Sequence, residues 1–198
     1  LERALAIRER VLGPEHPDTA TSLDTLGGLL IIMSDYEGAK PMVERALAIR
    51  EKVLGPEHFD TATSLTRQSQ FLTSTGELWE ARPLLERALS IVQKARGLEH
   101  PETAARLDSL ASLLTNLGLL QEAKPFCQQA LAIRERTLGP DHPETVNSLN
   151  SMGSLLTALG ELKSAKLYFE RTLELPGENL PSEHPSRLYA LRGLSQVQ

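Results

Sequence analysis

The sequence predicts an all-α fold built from stacked pairs of antiparallel helices, and two observations carry that prediction. The stretch "LGPEHPDTATSL" at residues 12–23 recurs in closely similar form along the chain, and all five histidines lie in its copies, 42 residues apart, at positions 16, 58, 100, 142 and 184. A fixed period of this length is typical of repeat architectures. Within each repeat, apolar residues recur at three- and four-residue steps, which places them on one face of a helix.

Each repeat is predicted to contain a first helix, a turn, a second helix and a loop. Glycine in turns such as "NLGLL" at 116–120 ends the first helix, because it adopts the left-handed conformation without strain. Small residues where the two helices meet leave room for their backbones to approach closely. These residues are Ala39, Ala81, Ala123 and Ala165 on the second helices and Gly27, Ala111 and Gly153 on the first helices.

The histidines allow two interpretations. Imidazole is a common metal ligand, but equivalent points on neighbouring repeats lie at least about 8–10 Å apart, whereas every ligand of a zinc ion lies about 2 Å from it. We therefore expect no metal site. Proline and then an acidic residue follow His16, His100 and His142, and both residue types are typical of a helix start. We predict that the histidines occupy N-cap positions, with the imidazole free to hydrogen-bond a neighbouring helix end.

The stretches "LERALAIRERVLGPEH" at 1–16 and "VERALAIREKVLGPEH" at 43–58 resemble the tetratricopeptide repeat in its long, kinesin-light-chain-like form, and the likeness covers essentially the whole chain. The resemblance implies a right-handed α-solenoid, a superhelix of about ten helices. Because the chain starts inside a repeat, we expect it to be part of a longer protein. The single array is predicted to comprise a half repeat at 1–12, full repeats at 16–57, 58–99, 100–141 and 142–183, and a terminal helix at 184–198.

Composition excludes several classes of function. The 198 residues are 40% apolar and 24% charged, as in ordinary folded domains. A formal net charge of −5 gives no reason to expect nucleic acid or an acidic membrane as a partner. The single cysteine, Cys127, excludes an internal disulfide and favours a reducing, cytoplasmic location. No run of apolar residues is long enough to span a membrane.

No catalytic motif is present in the sequence. We find no nucleophile elbow, phosphate-binding glycine loop or paired-carboxylate motif, so we expect neither enzymatic activity nor a cofactor.

The resemblance also implies that the first helices line a concave groove that binds proteins or peptides. The groove-facing positions carry short polar side chains, which suit hydrogen bonding to an extended or helical peptide. They are Thr21, Asp24, Thr25 and Gly28, then Thr63, Thr66, Arg67 and Gln70, then Asp108, Ser109 and Ser112, and then Asn147, Asn150, Ser151 and Ser154.

The chain lacks most of two specialised groove motifs of the family. Kinesin light chains commonly show "LNNLA" in the first helix, where this chain has "LDTLG", "LTRQS", "LDSLA" and "LNSMG", so only Asn150 fits. We therefore do not expect motor-cargo binding. The lysine and asparagine clamp with which chaperone-binding arrays hold a terminal carboxylate is absent as well.

The second repeat departs most from the pattern, with Phe59 in place of proline. Arg67, Gln68 and Gln70 either shape a specificity pocket or reflect drift without functional meaning. Trp79 is either a partner anchor or a side chain packed on a neighbouring turn.

The fourth repeat departs from the pattern in its second helix. Its prolines predict that this helix stops near Leu175 and that a longer, irregular loop follows, with Pro176, Gly177 and Pro181.

Together these observations favour a non-catalytic scaffold that binds a peptide or a partner domain through the groove. The alternative is a structural or regulatory spacer, or a self-association module, within a larger signalling or defence protein.

Overall fold

The computed structural model describes residues 2–175, 181 and 183–197, and within these ranges the chain has ten helices and no strand. This confirms the predicted all-α helical repeat fold. The chain divides into two compact units, Leu1–Gly97 (unit 1) and Leu98–Gln198 (unit 2). The helices are α1 Glu2–Val11, α2 Pro17–Ile32, α3 Tyr36–Val53, α4 Phe59–Thr75 and α5 Leu78–Arg96 in unit 1, and α6 Pro101–Asn116, α7 Leu120–Thr137, α8 Pro143–Ala158, α9 Leu162–Leu173 and α10 Pro185–Gln196 in unit 2.

Each unit is built by packing consecutive helices against one another. In unit 1, α2 packs on α3, α3 on α4, and α4 on α5, while α2 also contacts α4. In unit 2, α6 packs on α7, α7 on α8, α8 on α9, and α10 on both α9 and α8. Since the turns within pairs are short, paired helices run in opposite directions.

Small residues let the paired helices approach closely, as predicted. The four alanines of the second helices are fully buried. A Cβ atom added at Gly27 would lie 2.7 Å from Cγ1 of Val43, and one added at Gly153 would lie 2.5 Å from the ring of Phe169. Neither position has space for a larger residue without movement of its neighbour.

All five histidines are N-caps, so that prediction is confirmed. Their backbone is extended, with ψ between 134° and 145°. In each case Nδ1 accepts a hydrogen bond from the backbone N–H two residues later, at 3.1–3.2 Å. Nδ1 thus bonds to the start of its own helix and not to a neighbouring helix end. The extended backbone turns the ring over the first turn of its own helix, where N–H groups lack partners.

Each loop between repeats joins the end of one helix to the start of the next. In the loop before α4, Gly55 has a φ of 96°, which glycine adopts without strain. The hydroxyl of Thr61, in the first turn of α4, donates to the carbonyl of Gly55 at 2.8 Å. The same bond joins Thr19 to Gly13 and Thr145 to Gly139. One threonine side chain thus connects the start of each of these helices to the loop that ends the preceding helix.

Helix α9 is shorter than the other complete second helices. It ends at Leu173 after 12 residues, whereas α3, α5 and α7 have 18 or 19. The predicted early stop near Leu175 is confirmed. The loop predicted around Pro176 and Gly177 lies outside the described residues.

Removing one histidine cap tests its contribution to stability. Replacing His142 by alanine should lower the free energy of unfolding by about 1 kcal/mol, because the N–H of Glu144 loses its acceptor. His142→Asn is the matched control, since asparagine also caps helices, and it should retain most of the stability. Urea unfolding followed by circular dichroism measures both variants. Equal losses in the two variants would contradict a role for the cap.

Candidate functional site

Ten of the predicted groove residues are candidates for contacts with a peptide. All ten lie on first helices, but they differ in exposure. Thr25, Gln70, Asn147 and Ser151 are exposed. Three others are half-buried and three are buried. The half-buried side chains are Arg67, Asp108 and Ser109, and the buried ones are Asp24, Thr66 and Asn150.

Asp24 is buried because it belongs to an ion pair within the fold. Arg50, near the end of α3, is 4% exposed, and its Nη1 donates to the carboxylate of Asp24 on α2. The same atom donates to the hydroxyl of Ser64 on α4 at 2.8 Å. One guanidinium therefore joins three helices from two successive repeats. We call this arrangement an arginine clasp.

Unit 2 contains a second arginine clasp at the equivalent positions. Nη1 of Arg134 donates to the carboxylate of Asp108 and to the hydroxyl of Ser148. Unlike Asp24, the side chain of Asp108 keeps 31% of its surface exposed. Asp108 can therefore take part in the clasp and remain accessible to solvent at the same time. In the second repeat the equivalent pair is Thr66 and Val92, which are both buried and uncharged.

Burial acts on both clasp carboxylates. It raises the pKa of Asp24 and of Asp108, and the positive charge of the partner arginine opposes that rise in each case. For Asp108 the nearby carboxylate of Glu144 adds to the rise in pKa. Both ionised carboxylates would therefore gain from an additional positive charge nearby.

An open cleft lies between α6 and α8 in unit 2. Its volume is about 220 Å³, which is smaller than a typical small-molecule site of roughly 300–1,000 Å³. The size suits a single side chain of a partner. Among the described residues, the hydroxyls of Ser112 and Ser151 have no hydrogen-bond partner in the protein. The lining residues are Asp108, Ala111, Ser112, Thr115, Asn116, Cys127, Ser151, Ser154, Leu155 and Tyr189.

A second cleft lies beside the first, and Tyr189 of α10 lines both. This side chain is 50% exposed, and its hydroxyl lies 2.8 Å from Oγ of Ser154. Asn147 and Ser151 line the second cleft as well. Sequence reasoning missed Tyr189, which follows Asn147 by one period of 42 residues. Extending the repeat register into the terminal helix would have found it.

Asn150 has partners inside unit 2. Its Nδ2 donates to the backbone carbonyl of Ser186 at 2.9 Å, and its Oδ1 accepts from the hydroxyl of Thr172 at 3.3 Å. It therefore links α8 to both α9 and α10.

In unit 1, the guanidinium of Arg67 lies across α2. A Cβ atom added at Gly28 would lie 2.6 Å from Nη1 of Arg67, so only glycine leaves room for it there. Nη1 also donates to Oε1 of Gln70 at 2.7 Å. Gln68, the third residue of the predicted pocket, has a buried Oε1 without a hydrogen-bond partner among the described residues. The specificity pocket stays a prediction.

Several large apolar side chains are exposed. Trp79 is the second residue of α5 and is 61% exposed. On α10, Leu188 and Leu191 are 52% and 48% exposed. Each is available to a partner protein.

Within residues 2–175, 181 and 183–197, no group of three or more His, Cys, Asp or Glu side chains is placed to hold a metal ion. None of the described helices combines the length and the apolar character that crossing a membrane requires.

Comparison with known proteins agrees with the helical repeat fold. The family model of the tetratricopeptide repeat matches residues 1–52, 26–94 and 102–176. None of the curated proteins compared with the chain matches it.

Among solved structures, the chain is similar to nearly identical TPR-like repeats of a protein from Podosopora anserina named for the kinesin light chain. The TM-score is 0.82 and the identity 28%, over 92% of this chain and 86% of that one. BtubC from P. vanneervenii shares the fold at 19% identity and a TM-score of 0.81, over 99% and 78% of the two chains. YrrB, described as a TPR protein with an unusual peptide-binding site, shares it at 18% identity and a TM-score of 0.56, over 97% and 89%.

The arginine clasp should contribute far more to stability than an exposed ion pair. Replacing Arg50 by alanine leaves the buried carboxylate of Asp24 without its ion-pair partner, so we expect a loss of about 3–5 kcal/mol. Lys52 is the matched control, because it pairs with Glu15 on the surface of the same unit. Lys52→Ala should cost less than about 1 kcal/mol. Urea unfolding of both variants tests this, and comparable losses would contradict the role assigned to the clasp.

Cys127 should react slowly with thiol reagents in the folded protein. It is buried at the floor of the cleft, and burial, together with the charge of Asp108, raises the pKa of its thiol to about 11. At pH 8 we expect labelling by a disulfide reagent to be about a hundredfold slower than in urea. Absorbance of the released thiolate measures both rates, with N-acetylcysteine as the reference. Similar rates would show that the cleft floor is open to solvent.

Proposed function

The chain belongs to the tetratricopeptide repeat family, and on that premise we propose that it is a non-catalytic scaffold that binds a peptide or a partner domain through its first helices. Proteins with this repeat fold are generally interaction scaffolds. We propose an extended or helical peptide segment as the ligand, a cytoplasmic location, and no role for nucleic acid or membrane.

The observation that carries this proposal is the pair of adjoining clefts on the first helices of unit 2. Short hydroxyl and amide side chains, among them Ser112, Asn147 and Ser151, surround these clefts and can bond to peptide groups. Tyr189 adds an exposed aromatic ring between them, and aromatic rings are frequent anchors at protein interfaces. A peptide would thus find hydrogen-bonding groups and an apolar contact on one surface.

A self-association module is the second candidate function. It is favoured by the exposed leucines of α10, Leu188 and Leu191, because apolar patches of this kind mark contact surfaces. Light scattering over a range of protein concentrations separates the two functions. A rise in mass with concentration would support self-association, whereas a constant monomer mass would exclude it.

Substitutions in the clefts should abolish peptide capture. We expect Asn147→Ala combined with Tyr189→Ala to reduce binding of peptides selected from a random display library by about tenfold or more, because both side chains line the groove. Binding is measured by fluorescence anisotropy with labelled peptides.

Trp79→Ala is the matched control, since this residue is exposed on a second helix of unit 1. This control should leave binding unchanged. If Trp79→Ala abolished binding while the cleft variant retained it, the groove would be excluded and Trp79 would be the anchor.

A further inference from the structure

The cleft of unit 2 and the space around Arg67 in unit 1 are equivalent places in the repeat pattern. Arg67 and three residues around its guanidinium have counterparts two repeats later, and these counterparts form part of the wall of the cleft. The pairs are Asp24 and Asp108, Gly28 and Ser112, Arg67 and Ser151, and Gln70 and Ser154. The two places can therefore be compared position by position.

In unit 1 this space contains a guanidinium supplied by the chain itself. Arg67 extends from α4 over Gly28 of α2, where a Cβ atom would collide with it. Its positive charge acts on Asp24, whose pKa it lowers against the effect of burial. The carboxylate of Asp24 is thus stabilised by two cations, Arg50 in the arginine clasp and Arg67 on the groove side.

In unit 2 the corresponding side chain is too short to fill the space. Ser151 replaces the arginine, and the cleft of about 220 Å³ remains open above the buried Cys127. Asp108 has Arg134 as its clasp partner, but its exposed part faces the cleft with no second cation lining it. The carboxylate is present in both units, whereas the groove-side cation is present only in unit 1.

We propose that the cleft between α6 and α8 binds the guanidinium of an arginine side chain carried by a partner peptide, in the position that Arg67 fills in unit 1. This inference rests on the proposed function as a peptide-binding scaffold. It adds the chemical identity of one ligand side chain and the residues that hold it.

The wall of the cleft matches a guanidinium better than an ammonium. Asp108 supplies the negative charge. The hydroxyls of Ser112 and Ser151 have no hydrogen-bond partner among the described residues, and they supply two further acceptors from α6 and α8. A guanidinium presents five N–H donors in one plane, so it can reach separate acceptors at the same time. The ring of Tyr189 lines the same cleft and offers a face on which a planar cation can stack.

A small probe tests the cleft directly. N-acetyl-arginine-methylamide, titrated into the ¹⁵N-labelled protein, should shift the backbone amides of Ser112, Ser151 and Ser154. The citrulline analogue has the same shape without the charge, and it should shift them much less. Equal shifts with the two probes, or none with either, would overturn the proposal.

Two variants exchange the side chains of these two places. One fills the cleft of unit 2 with a guanidinium, and the other removes the guanidinium from unit 1. Ser112→Gly with Ser151→Arg copies unit 1 into unit 2 and should close the cleft to the arginine probe. Arg67→Ser removes the internal guanidinium and should create a second site, seen as shifts at Gly28 and Gln70. Ser195→Arg is the control, because it adds the same charge on α10 outside the cleft and should leave the probe response unchanged. Loss of the response in Ser195→Arg as well would overturn the proposal, since charge alone would then explain it.

Peptide selection separates this inference from the proposed function. Peptides selected on the natural chain should carry an arginine at a fixed position, and its replacement by citrulline should weaken binding by about tenfold. If peptides bind through the groove without such an arginine, the inference fails and the scaffold function stands. If no peptide binds while the arginine probe still shifts the cleft amides, the scaffold function fails and the guanidinium site stands.

Discussion

The buried arginines Arg50 and Arg134 each constrain how two neighbouring repeats stack. Each places one guanidinium where the end of a second helix meets two successive first helices. A charge in such a position is stable only when its partners surround it, so the carboxylate and the serine hydroxyl fix the spacing of three helices together. In unit 2 the carboxylate of the clasp also lines the cleft, so the interaction that holds the repeats supplies negative charge there. The stacking of the helices and the proposed binding surface are thus coupled through Asp108.

The period of 42 residues made most of the fold predictable. Helix starts at the histidines, small residues at the helix contacts and the early end of α9 all follow from local rules that repeat along the chain. The ion-pair and hydrogen-bond partners of the predicted groove residues could not be predicted from this period. Asp24 pairs with a residue on another helix, 26 positions away, and no periodic pattern distinguishes such a paired carboxylate from one that faces solvent. Tyr189 lies in the register too, but the equivalent positions carry Asn147, Ala105 and Thr63, so the pattern gives no sign of an aromatic side chain there.

The two units show how one backbone framework supports different surface chemistry. Equivalent positions on the first helices carry Arg67 over Gly28 in unit 1 and two serines in unit 2. Despite these differences, the first helices start at equivalent positions in the two units, and each unit keeps its clasp. Ligand preference in such an array can change by substitution at a few positions while the stacking remains the same. The departures from the repeat are therefore more informative about partners than the repeat itself.

The close approach of Arg67 to Gly28 also makes the two positions dependent on each other. A Cβ atom at position 28 would lie 2.6 Å from Nη1 of Arg67, so the guanidinium would have to move. Glycine inside a helix costs about 1 kcal/mol of helix propensity relative to alanine. A substitution of Gly28 that favours the helix would therefore relocate a positive charge on the surface of unit 1, and helix stability and surface charge cannot be optimised independently at this place.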